Sequence, residues 1–466
     1  MKLSLANKSQ LRILRLRFIA QLRFYKDVFW VISQLILSLV TFRNVHEEAR
    51  ILRLALNLPY DLSGPIQRSR EMKIVANDMY QTGKWLESIQ IHNTLQFERT
   101  ENRKVRNLAG TNIRFLSSSF TKSIGHMAIG LSVRAKILLS TPKLNQPKSI
   151  ILTSESANWE YLKLWEKYFK IIKMSDSEIE IFEKMFWPLF EDIATVDVDG
   201  EIWDLYKAHN HFTRLNSTAE KLKPLLTLSE KNNLDGHQFV EQIGGDSEKN
   251  FVTIHIRQNL KDKSTYGRNA NIQTYKKAIE YLTLSGFNVF RIGENSQDAD
   301  LDIPNYFDLT KLARHSNIFD TYFLGSCNFM IGTTSGPLNV PHTFGKPTLA
   351  TNTPDIARFI NLPQSLVLPK KVEYGGRILS LIEMLEMGAG HVDGYLENFG
   401  NGKMKWVDNT SQEILNATLE MINQAYTVLT IDQIRIRSLI STFGYDGNVA
   451  ISQSFIDNNK VLFEKP

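Results

Sequence analysis

NFVTIHIR, residues 250–257, opens the stretch that decides the fold, and this stretch continues to residue 353. Apolar runs rich in Val, Ile and Phe alternate there with helical segments bounded by Gly and Pro, the pattern of a parallel sheet with crossover helices. The predicted strands are Phe251–Ile256, Asn288–Ile292, Phe329–Ile331 and Pro347–Ala350. The predicted helices are Ile272–Leu284, which ends just before Gly286, Ile318–Cys327 and Gly336–Phe344.

Small or hydrogen-bonding residues follow the carboxyl end of each predicted strand. The first strand ends at His255 and Arg257. The residues after the other three strands are Gly293, the turn Thr334-Ser335-Gly336, and Asn352. In open parallel sheets, ligands bind in the crevice beyond the carboxyl ends of the strands. The pattern therefore predicts a ligand-binding site with a cation at the end of the first strand.

A second alternating region, residues 111–245, precedes this stretch. Its predicted strands are Asn112–Leu116, Ser149–Leu152, Lys170–Met174 and Ile193–Val196, with helices near Trp159–Phe169 and Asp176–Trp187 and further helices over 201–240. Glu241–Asn250 is typical of a hinge-like linker because it is polar and contains two adjacent glycines. The α/β fold is therefore expected to contain two Rossmann-type domains, 111–245 and 250–380, with a cleft between them and a helical region at 381–466.

Residues 44–110 are predicted to be wholly helical. Within them, Ala76–Leu95 resembles the core of a tetratricopeptide repeat, whose two helices meet at a Gly followed by an aromatic residue, here Gly83 and Trp85. The preceding partial repeat is offset by 39 residues, from Leu56 to Leu95, against a usual period of about 34. One and a half repeats cannot form an extended binding surface, so a helical spacer is the expected role.

The basic character of the chain belongs to its N-terminal segment, residues 1–43. Seven Lys and Arg and no acid lie in residues 1–26, and the whole chain carries +6, so the remainder carries −1. A nucleic-acid-binding protein would need a basic stripe on the fold itself, so no nucleic-acid partner is predicted. The segment reads as a basic amphipathic helix followed by the uncharged run 28–42, whose 15 residues fall short of the roughly 20 that span a bilayer.

Besides a true membrane span, which the shortness of the run 28–42 disfavours, two interpretations of residues 1–43 stay open. One is peripheral attachment to the anionic inner face of the cytoplasmic membrane, with the apolar side buried and the basic side against headgroups. The other is a first helix that packs on the protein's own body. The single cysteine, Cys327, excludes an internal disulfide and is typical of a reducing compartment. A cytoplasmic protein is therefore predicted.

The motifs of the second half resemble a known group of enzymes. His255-Ile256-Arg257 followed by YGRNANIQTYKKAIEYLTLSGFNVFRIG, then C-x-F-x-I-G-x-x-S-G-P and FGKP, resembles an uncharacterised family of predicted bacterial glycosyltransferases that is tied to surface-polysaccharide synthesis. More distantly, His255-x-Arg257 is similar to the H-x-R motif of fucosyltransferases with the GT-B architecture, in which the arginine binds the donor's diphosphate. Gln258-Asn259 stands where that family has Gly-Asp, so the resemblance implies the GT-B fold and a diphosphate role for Arg257, without implying GDP-fucose.

Residue types at the strand ends fit a nucleotide-sugar donor. Breaking the glycosidic bond requires neutralisation of the leaving diphosphate, and Arg257 offers two parallel hydrogen bonds to phosphate oxygens. Arg268, beside Asn269, is a second candidate cation, and the 334–336 turn leads into a helix whose free N–H groups suit phosphate or ribose. His255 is either a donor contact or a satisfied core histidine. A structural salt bridge for Arg257 and a plain helix cap at 335–336 also stay open.

Other candidates are weaker. His126, at a helix start near Gly125, is the best candidate for an acceptor-side general base, although a histidine without such a role is the alternative; Glu155 is a second candidate base. Asp197-Val198-Asp199 has the D-x-D pattern of metal-dependent glycosyltransferases, and His209 with His211 has a spacing that can ligate zinc. Neither has supporting ligands in sequence, so no metal and no cofactor are predicted.

Three function classes follow from these patterns. The first is a metal-independent glycosyltransferase that moves a sugar from a nucleotide diphosphate to a surface-polysaccharide or lipid-linked acceptor. The second is a nucleotide-sugar epimerase or another phosphate-handling enzyme on the same double fold. The third is a non-catalytic helical-repeat scaffold.

Overall fold

The structure of the protein is a computed structural model. It describes residues 63–81, 85–105, 113–141, 148–198, 201–216, 224–258, 267–293, 301–312, 317–354, 364–387, 404–424, 427–443 and 450–463. The predictions for residues 1–43, and the turn proposed at Gly83, lie outside the described residues. No helix in the described part of the chain is long and apolar enough to cross a membrane.

The second half is built on a six-stranded parallel sheet. Its strands run in the order β11-β10-β9-β6-β7-β8. Their bounds are β6 Phe251–His255, β7 Asn288–Ile292, β8 Tyr306–Asp308, β9 Phe329–Thr333, β10 Thr348–Thr353 and β11 Leu366–Pro369. Numbered from β6, this is the strand order of a Rossmann sheet. Successive strands are added outward from β6 to β8, and the chain then crosses back to β9, which lies on the other side of β6. The predicted Rossmann-type half is confirmed at the level of its strand order.

Helices cover this sheet as expected from the sequence. A 3-10 turn at Ile272–Tyr275 leads into α8, Lys276–Leu284, and the chain leaves that helix through Gly286 at φ +89°, a backbone conformation that favours glycine. After β8, α9 spans Asn317–Ser326. A 3-10 turn at Pro337–Asn339 and the short α10, Val340–Thr343, join β9 to β10. The predicted helices are confirmed to within two residues at each end.

The first half has a smaller parallel sheet than predicted. It contains β1 Ile113–Leu116, β2 Lys148–Thr153 and β3 Lys170–Lys173 in sequential order. The strand predicted at Ile193–Val196 is present as β4, Thr195–Val198. It pairs antiparallel with β5, Glu201–Asp204, in a separate two-stranded sheet and so does not extend the parallel sheet. β5 also occupies a place where only helices were expected. The alternation of polar and apolar residues over 195–204, with Asp199-Gly200 in the middle, is typical of a β-hairpin.

The helices of the first half flank this sheet. α3 is one continuous helix made of Ile124–His126, a π-helical turn at Met127–Leu131, and Ser132–Ser140. The remaining helices are α4 Trp159–Leu164, α5 Asp176–Phe186, α6 Leu205–Asn216 and, leading to the linker, α7 Glu230–Gln242. Ser175 caps α5 reciprocally with Glu178, which accounts for its sharp start.

The N-terminal helices pack directly on the first half. α1, Ser63–Gln81, and α2, Trp85–Val105, lie against each other, in agreement with the helical prediction for this region. Asp192, only 1% exposed in its side chain, receives Lys73 from α1 at 3.3 Å and His92 from α2 at 3.2 Å. Arg99 lies 3.7 Å from the same carboxylate. A buried ionic contact therefore joins this helical pair to the first-half body.

The C-terminal region completes the second half. Beyond β11, β12 Lys371–Tyr374 pairs antiparallel with β13 Arg377–Ile378 and with β14 Met404–Val407. The helices are α11 Leu381–Glu386, α12 Ser411–Ile422, α13 Ile431–Thr442 and α14 Gln453–Asn458. The expectation of helix alone after Leu379 was therefore wrong at β14. α12 packs on α8, so this region closes the second half.

The two halves share side-chain contacts. The Tyr161 hydroxyl of the first half donates to Thr343 Oγ1 at 3.1 Å, and Thr321 donates to Asn158 Oδ1 at 3.3 Å. Gly125 and Gly336 meet so closely that a Cβ on Gly125 would lie 2.9 Å from Gly336 Cα. The starts of α3 and of the 337–343 helical segment therefore face each other across the junction.

Candidate functional site

The candidate site lies where the order of the second-half sheet reverses. β6 and β9 are neighbours, with His255 opposite Gly332. The carboxyl ends of these two strands bring the H-x-R segment and the Thr334-Ser335-Gly336 turn together, although about 80 residues separate them in sequence. A crevice opens at this point because the crossover connections depart in opposite directions.

Hydrogen bonds tie the two strand ends to each other. The backbone N–H of Arg257 donates to Thr333 Oγ1 at 2.9 Å. His255 Nδ1 lies 3.0 Å from Ser335 Oγ, and the Ser335 hydroxyl donates to the Thr333 carbonyl, also at 3.0 Å. Because that hydroxyl has one proton, the network assigns the Nδ1 proton to His255 and leaves its Nε2 as an acceptor.

His255 is electrically neutral at ordinary pH. Burial, followed by the positive charges of Arg257 and Arg291, lowers its pKa from 6.5 to about 4. Its ring lies against Gly293, where an added Cβ would meet Cδ2 at 3.2 Å and Nε2 at 3.3 Å. Gly293 also has φ +131°. A neutral imidazole and a residue without a side chain therefore line the same part of the site.

The second predicted cation, Arg268, lies in a segment that contacts the end of β6. The backbone N–H of Ala270, two residues after Arg268, donates to the carbonyl of Arg257 at 3.2 Å. The carbonyl of Asn269 accepts a 2.8 Å hydrogen bond from Lys370 Nζ. Arg268 is half-buried, and its Nε is buried without a hydrogen-bond partner among the residues that the structure describes. The structure thus brings the 268–269 segment beside Arg257.

The 334–336 turn faces the first half of the molecule. Within the described part of the chain, Thr334 Oγ1 is buried without a hydrogen-bond partner, and Ser335 is hydrogen-bonded to His255. Gly336 contacts Gly125, the residue before His126. His126 is exposed, and its Nδ1 lies 3.0 Å from the carbonyl of Ser119. The structure therefore places His126 at the edge of the junction, on the opposite side from the cations.

One predicted site residue does not reach the site. Asn352 was expected after a strand, but it lies inside β10, is fully buried, and has φ 50°. Its Nδ2 donates to Tyr275 OH at 3.1 Å. Its backbone N–H donates to Asn409 Oδ1 at 2.6 Å, and its Oδ1 accepts from the backbone N–H of Asn409 at 2.7 Å. These partners satisfy both side-chain atoms, so Asn352 joins β10 to the C-terminal region.

Two buried basic side chains near the site, Arg291 and Lys370, were not singled out from the sequence. Arg291, 2% exposed within β7, pairs with Asp308 at 3.1 Å and donates to Gln258 Oε1 at 3.4 Å. Lys370, 3% exposed, pairs with Asp408 at 2.6 Å. Fully buried Arg and Lys are rare unless paired, so a charge inside the apolar run NVFRI was the signal that could have found Arg291.

The weaker candidates are used elsewhere in the fold. Asp197 of the D-x-D pattern lies 3.7 Å from Arg103, and Asp199 lies outside the described residues. His209 is buried near Thr213, whereas His211 packs edge-on against Trp203 with ring centroids 5.0 Å apart. Glu155 pairs with Lys122 at 3.1 Å. Within the described ranges, no group of three His, Cys, Asp or Glu is placed to hold a metal.

Comparisons with known proteins give low similarity only. No protein-family model and no curated protein match the chain. Among solved structures, E. coli ADP-heptose lps heptosyltransferase II is 13% identical over 57% of this chain and 91% of its own, with a TM-score of 0.39. The family 9 glycosyl transferase from Veillonella parvula DSM 2008 is 11% identical over 67% and 97%, with a TM-score of 0.43.

E. coli heptosyltransferase WaaC with ADP is 12% identical over 62% of this chain and 99% of its own, with a TM-score of 0.29. At TM-scores below 0.5, these similarities carry no argument about activity. The interpretation of the site therefore depends on its own residues.

Proposed function

We propose that this protein is a glycosyltransferase that moves a sugar from a nucleotide-diphosphate donor to a surface-polysaccharide or lipid-linked acceptor. The donor occupies the crevice at the carboxyl ends of β6 and β9. The first half contributes the acceptor side. No metal takes part, because fixed cations and backbone N–H groups neutralise the leaving diphosphate.

The observation that carries the proposal is the joining of two sequence motifs at the sheet reversal. The Arg257 N–H bonds to Thr333 and the His255 imidazole bonds to Ser335, so the H-x-R segment and the serine-glycine turn form one unit. That unit faces the first half at Gly125. A nucleotide bound in a Rossmann crevice meets this same point.

The residues present suit charge development on a leaving diphosphate. As the glycosidic bond breaks, negative charge grows on the bridging phosphate oxygen, and the guanidinium of Arg257 stabilises it by charge-assisted hydrogen bonds. Arg268 adds a second positive charge. A helix start at Gly336 adds N–H groups with the favourable end of the helix dipole.

His255 suits binding of a polar part of the donor. Its neutral ring has Nε2 as an acceptor, so it can accept a hydrogen bond from a hydroxyl of the sugar or ribose without adding charge. His126, exposed at the opposite side, is the candidate group for deprotonating the acceptor. Arg257, Arg268, Asn269, Gly293, Thr334, Ser335 and Gly336 would contact the donor together with His255.

The acceptor is proposed to be a glycan or a lipid-linked glycan at the cytoplasmic face of the membrane. Support comes from the basic and apolar composition of residues 1–43. Such a segment holds an enzyme close to a lipid-linked substrate by combining apolar burial with attraction to anionic headgroups.

A donor panel tests the proposal directly. The purified protein is incubated with ADP-, GDP-, UDP- and dTDP-sugars in the presence of EDTA, and free nucleotide diphosphate is measured over time. We expect one donor class to release its diphosphate by slow hydrolysis, even without an acceptor. An epimerase would convert the sugar without releasing diphosphate, and a scaffold would do neither; either result would contradict the proposal.

A further inference from the structure

A cluster of basic side chains draws on helices of both halves and contains none of the predicted donor-site residues. Lys136 of α3 is 8% exposed, and its Nζ donates to Thr213 Oγ1 on α6 at 2.6 Å. His209, also on α6 and 4% exposed, has Nδ1 3.5 Å from the same hydroxyl. His342 of α10, in the second half, is 9% exposed and interacts electrostatically with Lys136 and His209. We call Lys136, His209 and His342 the junction cluster.

The junction cluster contains no acid. Burial alone lowers the pKa of Lys136 from 10.5 to about 7, and no carboxylate among the described residues raises it. Burial and the charge of Lys136 hold the pKa values of His209 and His342 well below 6.5, with a further contribution from His342 at His209. All three groups are therefore driven towards their uncharged forms while the halves are packed together.

The surrounding groups offer hydroxyls rather than charges. His342 Nε2 lies 3.1 Å from Thr348 Oγ1, and its Nδ1 is buried with no hydrogen-bond partner in the described ranges. From α4, the Tyr161 hydroxyl donates to Thr343, and burial raises the pKa of Tyr161, so this phenol stays neutral. Asn210 gives His209 a hydrogen bond that partly offsets the lowering of its pKa. Among the described residues, no carboxylate raises the pKa of Lys136, His209 or His342.

We propose that the junction cluster is a proton-sensitive joint between the two halves. When Lys136, His209 and His342 are uncharged, the joint is closed, and protonation of these groups opens it. Opening gives the cations access to water and separates His342 from the two basic groups of the first half. This proposal does not depend on glycosyl transfer.

The sign of the pH effect follows from the lowered pKa values. A base that binds its proton more weakly in the closed form favours closure at high pH and opposes it as pH falls. The lysine acts between about pH 10.5, its ordinary value, and its lowered value near 7, and the two histidines act below about 6.5. Each such group shifts the open-to-closed ratio by up to about tenfold per pH unit within its window.

Distance measurements between the halves test the joint. The one native cysteine, Cys327, is buried, so spin labels can be attached selectively at Lys163→Cys in the first half and Lys276→Cys in the second. Both lysine side chains are more than half exposed, at 60% and 52%. Double electron–electron resonance at pH 9.5, 7.5, 6.5 and 5.5 should show one short distance that gives way to a longer one as pH falls.

Lys136→Met removes the titrating ammonium while retaining much of the side-chain length. We expect it to abolish the change between pH 9.5 and 7.5 and to leave the histidine-dependent change below pH 6.5. Lys167→Met is the matched control: this exposed lysine also lies at the junction, where its Nζ donates to the Leu225 carbonyl at 3.2 Å. The control should respond to pH as the parent does.

Several outcomes would overturn the proposal. The first is a spin-label distance that stays constant from pH 9.5 to 5.5. The second is a pH-dependent distance change in Lys136→Met equal to that of the parent. The third is a distance change that added inorganic phosphate suppresses, which would mean that a bound anion neutralises the cluster. If Lys136→Met does not fold, His342→Gln serves instead. It should reduce the opening below pH 6.5, and an unchanged response in that variant would also contradict the proposal.

Discussion

At the scale of single residues, burial and neighbouring charges together determine which side chains of the candidate site are charged and which are neutral. Arg257 and Arg291 place positive charge around His255, and together with burial they keep that imidazole uncharged. In the proposed function, the arginines would supply positive charge for the anionic part of the donor, and the neutral histidine would supply a hydrogen-bonding surface.

Replacing Arg257 by Ala is expected to reduce diphosphate release by about 10²- to 10³-fold, the typical cost of removing one donor to a developing negative charge. Because the side chain is half-buried at a strand end, the fold should persist. Release rates and circular dichroism together check this prediction.

Arg435→Ala is the matched control, since this arginine lies on α13 with a side chain 60% exposed. It should leave diphosphate release unchanged. Undiminished release in a folded Arg257→Ala protein would remove the diphosphate assignment.

The neutrality of His255 predicts a pH effect on stability. Its folded pKa of about 4 lies below the ordinary 6.5, so the unfolded state binds the extra proton first, and stability falls as pH drops from 6.5 to 4. The full effect is at most about 3 kcal/mol, and partial exposure of the ring reduces it. His255→Gln should lose this component in urea titrations at pH 7, 5.5 and 4.5. Identical pH slopes in the variant and the parent would contradict the lowered pKa.

At the scale of secondary-structure elements, two contacts hold parts of the molecule together. The first is the approach of the α3 start to the turn before α10, at Gly125 and Gly336. The second is the buried carboxylate of Asp192, which binds basic residues from α1 and α2. Each contact has a specific residue requirement, small size in one case and negative charge in the other.

Gly336→Ala should disturb the site without unfolding the protein. The added Cβ would lie 2.9 Å from Gly125 N, so the two helix starts must separate at a cost of about 1–3 kcal/mol. Diphosphate release should fall by roughly 5- to 100-fold. Gly376→Ala is the control, because that glycine at φ +83° has nothing within 4 Å of a Cβ and bears local strain only. Equal activity of the two variants would show that close approach of the halves is not required.

Asp192→Asn should loosen the N-terminal helical pair. The substitution leaves the cations Lys73 and Arg99 without their buried anionic partner. Breaking a buried ionic contact lowers the free energy of unfolding by about 3–5 kcal/mol. Urea denaturation should show this loss. Glu160→Gln, which removes the partner of exposed Lys163, should change stability by less than about 1 kcal/mol. Similar stabilities for both variants would mean that Asp192 does not hold the helices.

At the scale of the whole molecule, two α/β halves meet at a junction that contains the candidate site at one place and the junction cluster at another. The helical pair α1–α2 packs on the first half, and the C-terminal helices pack on the second. Each half therefore has its own packed helical extension. Opening or closing the junction would change the geometry of the donor site as a consequence.

Deletion of residues 1–42 is expected to lower recovery of the protein in a membrane fraction and to spare hydrolysis of a soluble donor. The deleted segment carries the excess positive charge, so its loss weakens attraction to anionic headgroups. Vesicle co-sedimentation with and without anionic lipid, alongside the release assay, measures both effects. An equal loss of both would indicate that the segment packs on the catalytic body instead.

The sequence by itself determined the α/β class, the alternation of strands and helices in the second half, and the polar residues at strand ends, because side-chain periodicity and Gly or Pro boundaries are local properties. It also indicated that His255, Arg257 and the 334–336 turn belong to one site, since parallel strands expose their carboxyl ends on one edge. Only the tertiary structure decided which strands are neighbours.

Strand order is set by packing between segments far apart in the chain, and that order alone joined His255 to Ser335, buried Asn352 against Asn409, and paired Arg291 with Asp308. The β4–β5 hairpin and β14 were missed for a related reason: short polar strands depend on a partner for their hydrogen bonds. The junction cluster likewise has no sequence signature, because its three basic residues come from three helices and two halves, and their burial depends on how those halves pack.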